Sequence, residues 1–153
     1  MHRKIDMKYR LELKPLDLSL LNKLEEMVFG ESRVNGEKLA LIARKSFLFL
    51  IVYDGNRPIG FKLGYYIRDI QKFFSWLGGV DRQYRGQGIA TNLIEIQEKW
   101  CQEKGYKTVY FTSFERFPEM ISLGQKQGYG CVKSALDDGE MKYWFEKILP
   151  END

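Results

Sequence analysis

A glycine-rich turn between a predicted strand and a predicted helix is the feature that most constrains the fold of this chain. The turn is the segment Gln83-Tyr84-Arg85-Gly86-Gln87-Gly88-Ile89-Ala90, which follows the apolar run 73–80 and opens an amphipathic stretch that continues to Lys104. Backbone N–H groups at the start of a helix lack intrahelical acceptors and lie at the positive end of the helix dipole. Glycines let the backbone approach an anion closely because they carry no Cβ. The segment therefore predicts a site for a phosphorylated ligand.

Two common nucleotide-binding motifs do not fit this turn. A P-loop requires a glycine followed by Lys and then Ser or Thr, whereas Gly86 is followed by Gln87-Gly88. The dinucleotide fingerprint requires a third glycine, and Thr91 and Asn92 occupy the positions in question. A Gly-x-Gly turn alone is also compatible with an ordinary tight turn, so the rest of the chain has to decide.

The composition favours one domain, and it argues against a membrane protein or a nucleic-acid-binding protein. Of the 153 residues, 44% are hydrophobic and 14% aromatic, which is enough for one substantial core. The net charge is +3, and no run of basic residues is longer than two. No apolar stretch approaches the ~20 residues that a membrane span needs. We expect a single domain over residues 1–153 with a core at about 8–149, reduced core cysteines at Cys101 and Cys131, and a cytoplasmic location.

Hydrophobic periodicity predicts an alternation of strands and helices. Strands are expected at 9–13, 47–53, 58–66, 73–80, 107–112, 129–135 and 140–149. Helices are expected at 37–45, 89–104 and 118–128, after a first helix that is capped by Asp17 or Ser19 and ends near Phe29. The long helical connection between the strands at 73–80 and 107–112 requires these two strands to be parallel. The predicted fold class is a single mixed α/β domain whose sheet is mostly antiparallel with a central parallel strand pair.

The turn and three further segments resemble the GCN5-related N-acetyltransferase family. The turn matches the family signature Gln/Arg-x-x-Gly-x-Gly/Ala. Leu13-Lys14-Pro15-Leu16 before a helix is similar to the start of these domains. Arg57-Pro58-Ile59-Gly60-Phe61 is similar to their second hairpin, and Gln127-Gly128-Tyr129 to the Lys-x-Gly-Phe that ends their last helix. These matches, in the family's order, imply the acyl-CoA N-acyltransferase fold and acetyl-CoA as donor co-substrate.

The resemblance also implies which residues hold the cofactor. The pyrophosphate is expected on the amides of the turn, with the Thr91 hydroxyl as an additional donor, and Arg85 either pairs with phosphate or covers the helix. The pantetheine arm is expected along the preceding strand, where the two glycines suit a β-bulge or, alternatively, relieve crowding against the helix. The expected cofactor-binding residues are Gly78, Gly79, Val80, Arg85, Gly86, Gln87, Gly88, Ile89, Ala90 and Thr91.

The catalytic side chains usual in the family are missing from their expected positions. Gly124 stands where the family often has a tyrosine acid, and Phe117 stands where it has an asparagine. The strand 73–80 carries no carboxylate that would act as a base. The candidates are therefore Glu115, as a base acting through water, and Ser113, as a proton donor to the thiolate. The alternative for Glu115 is an ordinary solvated loop carboxylate.

No metal site is expected, because the only histidine is His2 and the two cysteines lack zinc spacing. The resemblance implies an acceptor pocket built from residues 29–37 and 65–71. Its candidate side chains are three acids to attract a cationic amine and three aromatics to stack on an apolar part: Glu31, Glu37, Asp69, Phe29, Tyr65 and Tyr66. Trp76 either shapes this pocket or packs in the core.

The resemblance implies an enzyme that transfers acetyl from acetyl-CoA to a primary amine by direct attack. The acceptor is a small molecule or a peptide, and a homodimer stays open. The rival hypothesis is a non-catalytic acyl-CoA-binding sensor of the same fold, because a sensor would need neither an acid nor a base.

Overall fold

The computed structural model describes residues 7–12 and 15–151, which form one seven-stranded sheet with helices on both faces. The strands are β1 (Met7–Leu11), β2 (Phe47–Asp54), β3 (Arg57–Ile67), β4 (Lys72–Val80), β5 (Thr108–Phe114), β6 (Gly130–Asp137) and β7 (Glu140–Ile148). The helices are α1 (Leu18–Phe29), α2 (Gly36–Ala43), α3 (Ile89–Glu103) and α4 (Pro118–Lys126), and a 3-10 turn at Arg82–Tyr84 precedes α3. None of the helices in these ranges is long and apolar enough to cross a membrane.

The sheet confirms the predicted fold class. Its strand order is β1-β2-β3-β4-β5-β7-β6, and every neighbouring pair is antiparallel except β4 and β5. Those two strands pair in parallel through Phe73–Val109 and Phe74–Tyr110 alone. The crossover through α3 joins them, as the length of the connection predicted.

The remaining elements fall close to their predicted positions. Asp17 caps α1 by accepting a hydrogen bond from the Leu20 N–H at 3.1 Å. The first strand begins two residues earlier than predicted, at Met7, and ends at Leu11. Leu13 and Lys14, which belong to the first family-like segment, and His2 lie outside the described residues.

Two hydrophobic clusters cover the two faces of the sheet. One cluster joins the sheet to α1 and α2 through residues such as Leu21, Leu24, Leu39, Phe49 and Phe61. The other joins it to α3 and α4 through residues such as Leu50, Phe73, Leu93, Val109 and Phe111. The cysteine prediction is half right: Cys101 is buried in the second cluster, whereas Cys131 lies exposed on β6, the edge strand.

A substitution at Gly64 on β3 tests how tightly the cluster beneath α3 and α4 is packed. An added Cβ would lie 2.5 Å from Phe73 Cε1 and 2.6 Å from the Phe74 carbonyl oxygen. We expect Gly64→Ala to lower the free energy of unfolding by about 1–3 kcal/mol, as overpacking does. Gly130→Ala is the matched control, since nothing lies within 4 Å of its added Cβ. Denaturant unfolding checks both, and equal stability of the two variants would contradict the packing described.

Candidate active site

A gap between β4 and β5 is the central feature of the site. The strands separate after the Phe74–Tyr110 pair, although β4 continues to Val80 and β5 to Phe114. The Asp81 N–H donates to the Ile59 carbonyl at 2.7 Å, so the alternation along β4 directs the backbone groups of Gly78 and Val80 the opposite way, into the gap. Such an open strand edge is a template for an added extended chain.

A β-bulge in β4 lies at the start of the gap. The register of β4 against β3 shifts by one residue, and Trp76 is the extra residue, since Leu63 pairs with Leu77 while Gly64 pairs with Ser75. A bulge bends its strand and increases the local twist, which accounts for the divergence of β4 from β5.

Of the two roles that the sequence left open for the glycine pair, the structure favours relief of crowding against a helix for Gly79. Gly78 and Gly79 pair regularly with β3 and are not the bulge. An added Cβ on Gly79 would lie 2.2 Å from Val28 Cγ1, so this glycine lets α1 pack against β4. An added Cβ on Gly78 would lie 3.0 Å from the Phe61 carbonyl oxygen, on the α3 face.

The turn after β4 presents a row of free N–H groups. Gly86 and Gly88 have φ angles of +79° and +81°, and nothing lies within 4 Å of an added Cβ on either. Gly88 is the N-cap of α3 and provides no side-chain cap. Within the described chain, the N–H groups from Gly86 to Thr91 have no hydrogen-bond acceptor. The turn thus fits a phosphate group, since it offers several N–H donors at a helix N-terminus with open space in front.

Side chains of the β2–β3 hairpin hold this turn in place. The Tyr84 hydroxyl donates to Asp54 Oδ2 at 2.7 Å, and both residues are buried. Arg57 Nη2 donates to Asp81 Oδ2 at 3.0 Å, and Asp81 Oδ1 accepts from the Gln83 N–H at 3.1 Å. From the sequence, Arg57 and Tyr84 were identified only as members of family-like segments, and none of these residues was assigned a role at the site.

The Arg85 side chain makes a contact that the sequence analysis did not consider when it proposed that Arg85 pairs with phosphate or covers the helix. Its Nε donates to the Val80 carbonyl oxygen at 3.0 Å. The side chain therefore ties the turn to the end of β4 and takes up an acceptor that faces the gap.

The two candidate catalytic residues, Ser113 and Glu115, lie in different environments. Ser113 is 5% exposed and sits on β5 beyond the parallel pairing. Glu115 is exposed after β5, and its Oε1 accepts a hydrogen bond from the Tyr143 hydroxyl at 2.7 Å. That bond raises the pKa of Tyr143 above its ordinary value, because the negative carboxylate favours the protonated phenol. Since Tyr143 lies on β7, the Glu115 carboxylate is drawn to the side of β5 away from β4.

Packing explains the missing tyrosine at position 124. An added Cβ on Gly124 would lie 2.4 Å from Phe111 Cζ, so the ring of Phe111 occupies the place where a larger side chain would begin. Tyr129 packs against the same ring at 5.3 Å between centroids and is buried. Its hydroxyl donates to Glu98 Oε2 at 2.9 Å, and burial raises its pKa.

Aromatic side chains line the opposite face of the sheet at the start of the gap. Phe74 stacks on Tyr110 at 4.7 Å, and Tyr65 makes edge contacts with Phe74 and Trp76. Lys38 of α2 lies above this floor, with Nζ 3.2 Å from the Tyr65 hydroxyl and 5.1 Å from the centre of the Trp76 ring. Burial is the main cause that raises the pKa of Tyr110 to about 12.

The expected acceptor residues do not gather in one place. Tyr66 lies on the other face of the sheet from Tyr65, where it stacks on Tyr106 at 4.0 Å. Glu31 is exposed and forms an ion pair with Arg33. The charged group closest to the aromatic floor is instead a lysine, which the sequence analysis did not select.

A second lysine was also missed. Lys62 is only 5% exposed, in the middle of β3. A single charged residue in the apolar run 58–66 was a signal that could have identified it.

Similar folds are known among solved structures. The ribosomal-protein-S18-alanine N-acetyltransferase of Escherichia coli is 14% identical, with a TM-score of 0.79 and coverage of 97% of each chain. NAA60 of Arabidopsis thaliana, solved with a bisubstrate analogue, is 19% identical, with a TM-score of 0.75 over 96% of this chain and 100% of that one. An acetyltransferase from Elizabethkingia anophelis with acetyl-CoA bound is 15% identical, with a TM-score of 0.71 over 95% and 100%. Identities this low establish the fold alone.

Sequence comparison gives a more specific result. None of the curated protein sequences matches the chain. The model of the acetyltransferase (GNAT) family matches residues 19–129, which include the gap, the glycine turn and α3. This match confirms the prediction that acetyl-CoA is the donor co-substrate. Two neighbours of this fold were crystallised with acetyl-CoA. The chain belongs to the acetyltransferase (GNAT) family.

Proposed function

We propose that this protein is an N-acetyltransferase that transfers acetyl from acetyl-CoA to a primary amine by direct attack. One observation carries the proposal: the open edge of β4 leads without interruption into a turn whose free N–H groups end at the N-terminus of α3. An elongated ligand with an amide-containing arm and a pyrophosphate suits this arrangement. When bound, acetyl-CoA supplies a thioester whose carbonyl carbon is the electrophile.

The cofactor-binding residues follow from the same geometry. The amides from Gly86 to Thr91 hold the pyrophosphate, and the Thr91 hydroxyl is a further donor. On β4, the C=O of Gly78 pairs with the arm, while Gly79 stays paired with β3. Val80 contributes its N–H only, because Arg85 already donates to its carbonyl oxygen.

The acceptor amine enters over the aromatic floor of Tyr65, Phe74, Trp76 and Tyr110, below Lys38. This floor lies on the α1–α2 face where β4 and β5 separate. The Lys38 ammonium repels a second cation and attracts an anionic group. We therefore propose an amine that carries an apolar or carboxylate-bearing neighbour, such as an amino acid or a peptide, in preference to a polyamine.

Transfer requires a neutral amine, a donor for the oxyanion and a proton for the leaving thiolate. The Gly78 N–H faces the gap and is the donor for the oxyanion. Glu115 is the sequence-based candidate for the base. Its carboxylate accepts from the Tyr143 hydroxyl on the side of β5 away from the gap, so it has to leave that bond to act through water on the amine. Ser113, on the same strand end, is the sequence-based candidate for the thiolate proton.

A non-catalytic acyl-CoA sensor is the second candidate function. It is favoured by the packing of Gly124 against Phe111, which removes the family's tyrosine acid. Binding of the cofactor does not distinguish the two functions, whereas turnover does.

The glycine turn gives the first prediction about binding. Gly88→Glu places a carboxylate among the N–H groups that hold phosphate, so we expect acetyl-CoA affinity to fall at least about 100-fold, or about 2.7 kcal/mol. Isothermal titration calorimetry measures it. The matched control is Gly139→Glu, since Gly139 has a φ of +83° and equally open space but lies in the β6–β7 turn. Retained affinity in the Gly88 variant would place the phosphate site elsewhere.

Turnover separates the enzyme from the sensor. We expect thiol release from acetyl-CoA to rise above hydrolysis with amino acids or short peptides, and to rise less with a polyamine such as spermidine. Lys38→Met should narrow the difference between the two kinds of amine, because it removes the cation above the floor. Binding of acetyl-CoA without turnover on any amine would favour the sensor, and failure to bind would contradict both functions.

The proposed base predicts a pH effect. If Glu115 accepts the amine proton through water, Glu115→Gln should lower kcat/KM by about tenfold or more and flatten its rise with pH. Glu140→Gln is the control, because Glu140 is likewise a turn-proximal carboxylate with a polar partner, Arg116. A pH–rate profile identical to that of the wild type would leave Glu115 an ordinary solvated carboxylate.

A further inference from the structure

The side chain of Lys62 lies over Gly78 of β4, where the absence of a Cβ leaves room for it. Lys62 and Gly78 are direct partners in the β3–β4 pairing, so their side-chain positions share the α3 face. Both Cγ and Nζ of Lys62 lie 3.4 Å from where a Cβ of Gly78 would be. The side chain therefore crosses β4 at Gly78. Beyond Gly78 no strand is paired with β4, so the ammonium lies at the edge of the gap.

The groups around Lys62 do not give its buried charge a role in stabilising the fold. Glu98 of α3 is the charged group that acts on it across the gap, but the Glu98 carboxylate already accepts from the Lys147 ammonium at 2.7 Å and from the Tyr129 hydroxyl. Burying an ammonium whose carboxylate neighbour is already engaged by other donors costs free energy.

Burial gives this ammonium the acidity that a proton donor needs. Desolvation lowers the pKa of Lys62 to about 8, and the negative charge of Glu98 offsets part of that effect. Cys101 on the same face of α3 stays protonated, because burial raises its pKa. At neutral pH Lys62 is therefore mostly an ammonium, with an acidity close to that of a thiol, whose ordinary pKa is about 8.5.

We propose that Lys62, in place of Ser113, is the catalytic acid that protonates the leaving thiolate of CoA. This inference rests on the proposed acetyl transfer along β4. As the amine nitrogen bonds to the carbonyl carbon, the C–S bond breaks and its electron pair stays on sulfur. The sulfur then takes a proton from Lys62 Nζ, and the attacking nitrogen loses its proton to water. Lys62 regains a proton from solvent after the product leaves. The acid thus comes from β3, since Phe111 blocks the position on α4.

Binding of free CoA tests the contact without any turnover. An ammonium at the sulfur stabilises the thiolate, so bound CoA should ionise at a lower pH in the wild type than in Lys62→Met. The ultraviolet thiolate absorption of the bound CoA measures this, with desulfo-CoA, which lacks the sulfur, as the blank. Lys133→Met is the control, because Lys133 is a lysine on β6, the edge strand, away from the gap.

The rate tests the proton transfer. With hydroxylamine as probe nucleophile, we expect Lys62→Met to lower kcat for thiol release by about 100-fold or more, with acetyl-CoA affinity changed less than about threefold. Because the ammonium is the active form, kcat of the wild type should fall as pH rises through about 8, the pKa of Lys62. That decline should be absent in Lys62→Met. The variant should fold, since methionine fills a similar volume and removes a buried charge.

The outcomes separate this inference from the proposed function. Unchanged thiolate ionisation and an unchanged pH profile in Lys62→Met, in a wild type that binds acetyl-CoA and releases thiol, would overturn the role of Lys62 alone. A wild type that binds acetyl-CoA without releasing thiol would overturn the acid together with the transferase. A shifted thiolate ionisation together with the lost decline of kcat supports the proposal.

Discussion

The separation of β4 from β5 is the constraint on which the rest of the site depends. Only two residue pairs join these strands, and the separation is controlled from both ends. At the closed end, Phe74 and Tyr110 stack at 4.7 Å, and the Lys72–Glu146 ion pair at 2.6 Å links β4 to β7 across β5. At the open end, the bulge at Trp76 bends β4 away. The edge of β4 that faces β5 is thereby left unpaired beyond Phe74, at the centre of a seven-stranded sheet, where a neighbouring strand would otherwise satisfy its backbone groups.

The free edge is useful only if the turn that follows has a fixed geometry. Two contacts provide it: the buried hydrogen bond of Tyr84 with Asp54, and the ion pair of the exposed Arg57 with Asp81, whose side chain is 11% exposed. Both reach from the β2–β3 hairpin, which is itself held in the sheet. A charge-assisted hydrogen bond to a mostly buried carboxylate is stronger than an exposed ion pair. The glycine turn can therefore expose its N–H groups without being mobile, and the positive φ angles at Gly86 and Gly88 keep side chains away from them.

How much of this could be predicted from the sequence depends on the range of the deciding interaction. The parallel strand pair followed from the length of one connection, and the turn followed from the residues of a single segment. The bulge did not, because glycines suggest bulges locally, whereas the register against β3 places it at Trp76. Tyr65 and Tyr66 could have been separated by the alternation of a strand, which puts neighbours on opposite faces. The orientation of Glu115 could not, since it is set by Tyr143, 28 residues away.

The proposed acid, Lys62, could not be found from a sequence motif, because its place at the gap depends on its pairing with Gly78 on the neighbouring strand. A family motif describes positions along one segment of a chain. In this chain the α4 position where the family often has its tyrosine acid holds Gly124, packed against Phe111. The group that faces the gap comes instead from β3, and it reaches the gap because the partner residue on β4 has no side chain. A methionine would fill the same space with less desolvation cost, and the Glu98 carboxylate that acts on this ammonium is already bound by Lys147 and Tyr129. A charge that costs stability and lies at an open strand edge is better explained by the chemistry at that edge than by the packing of the core.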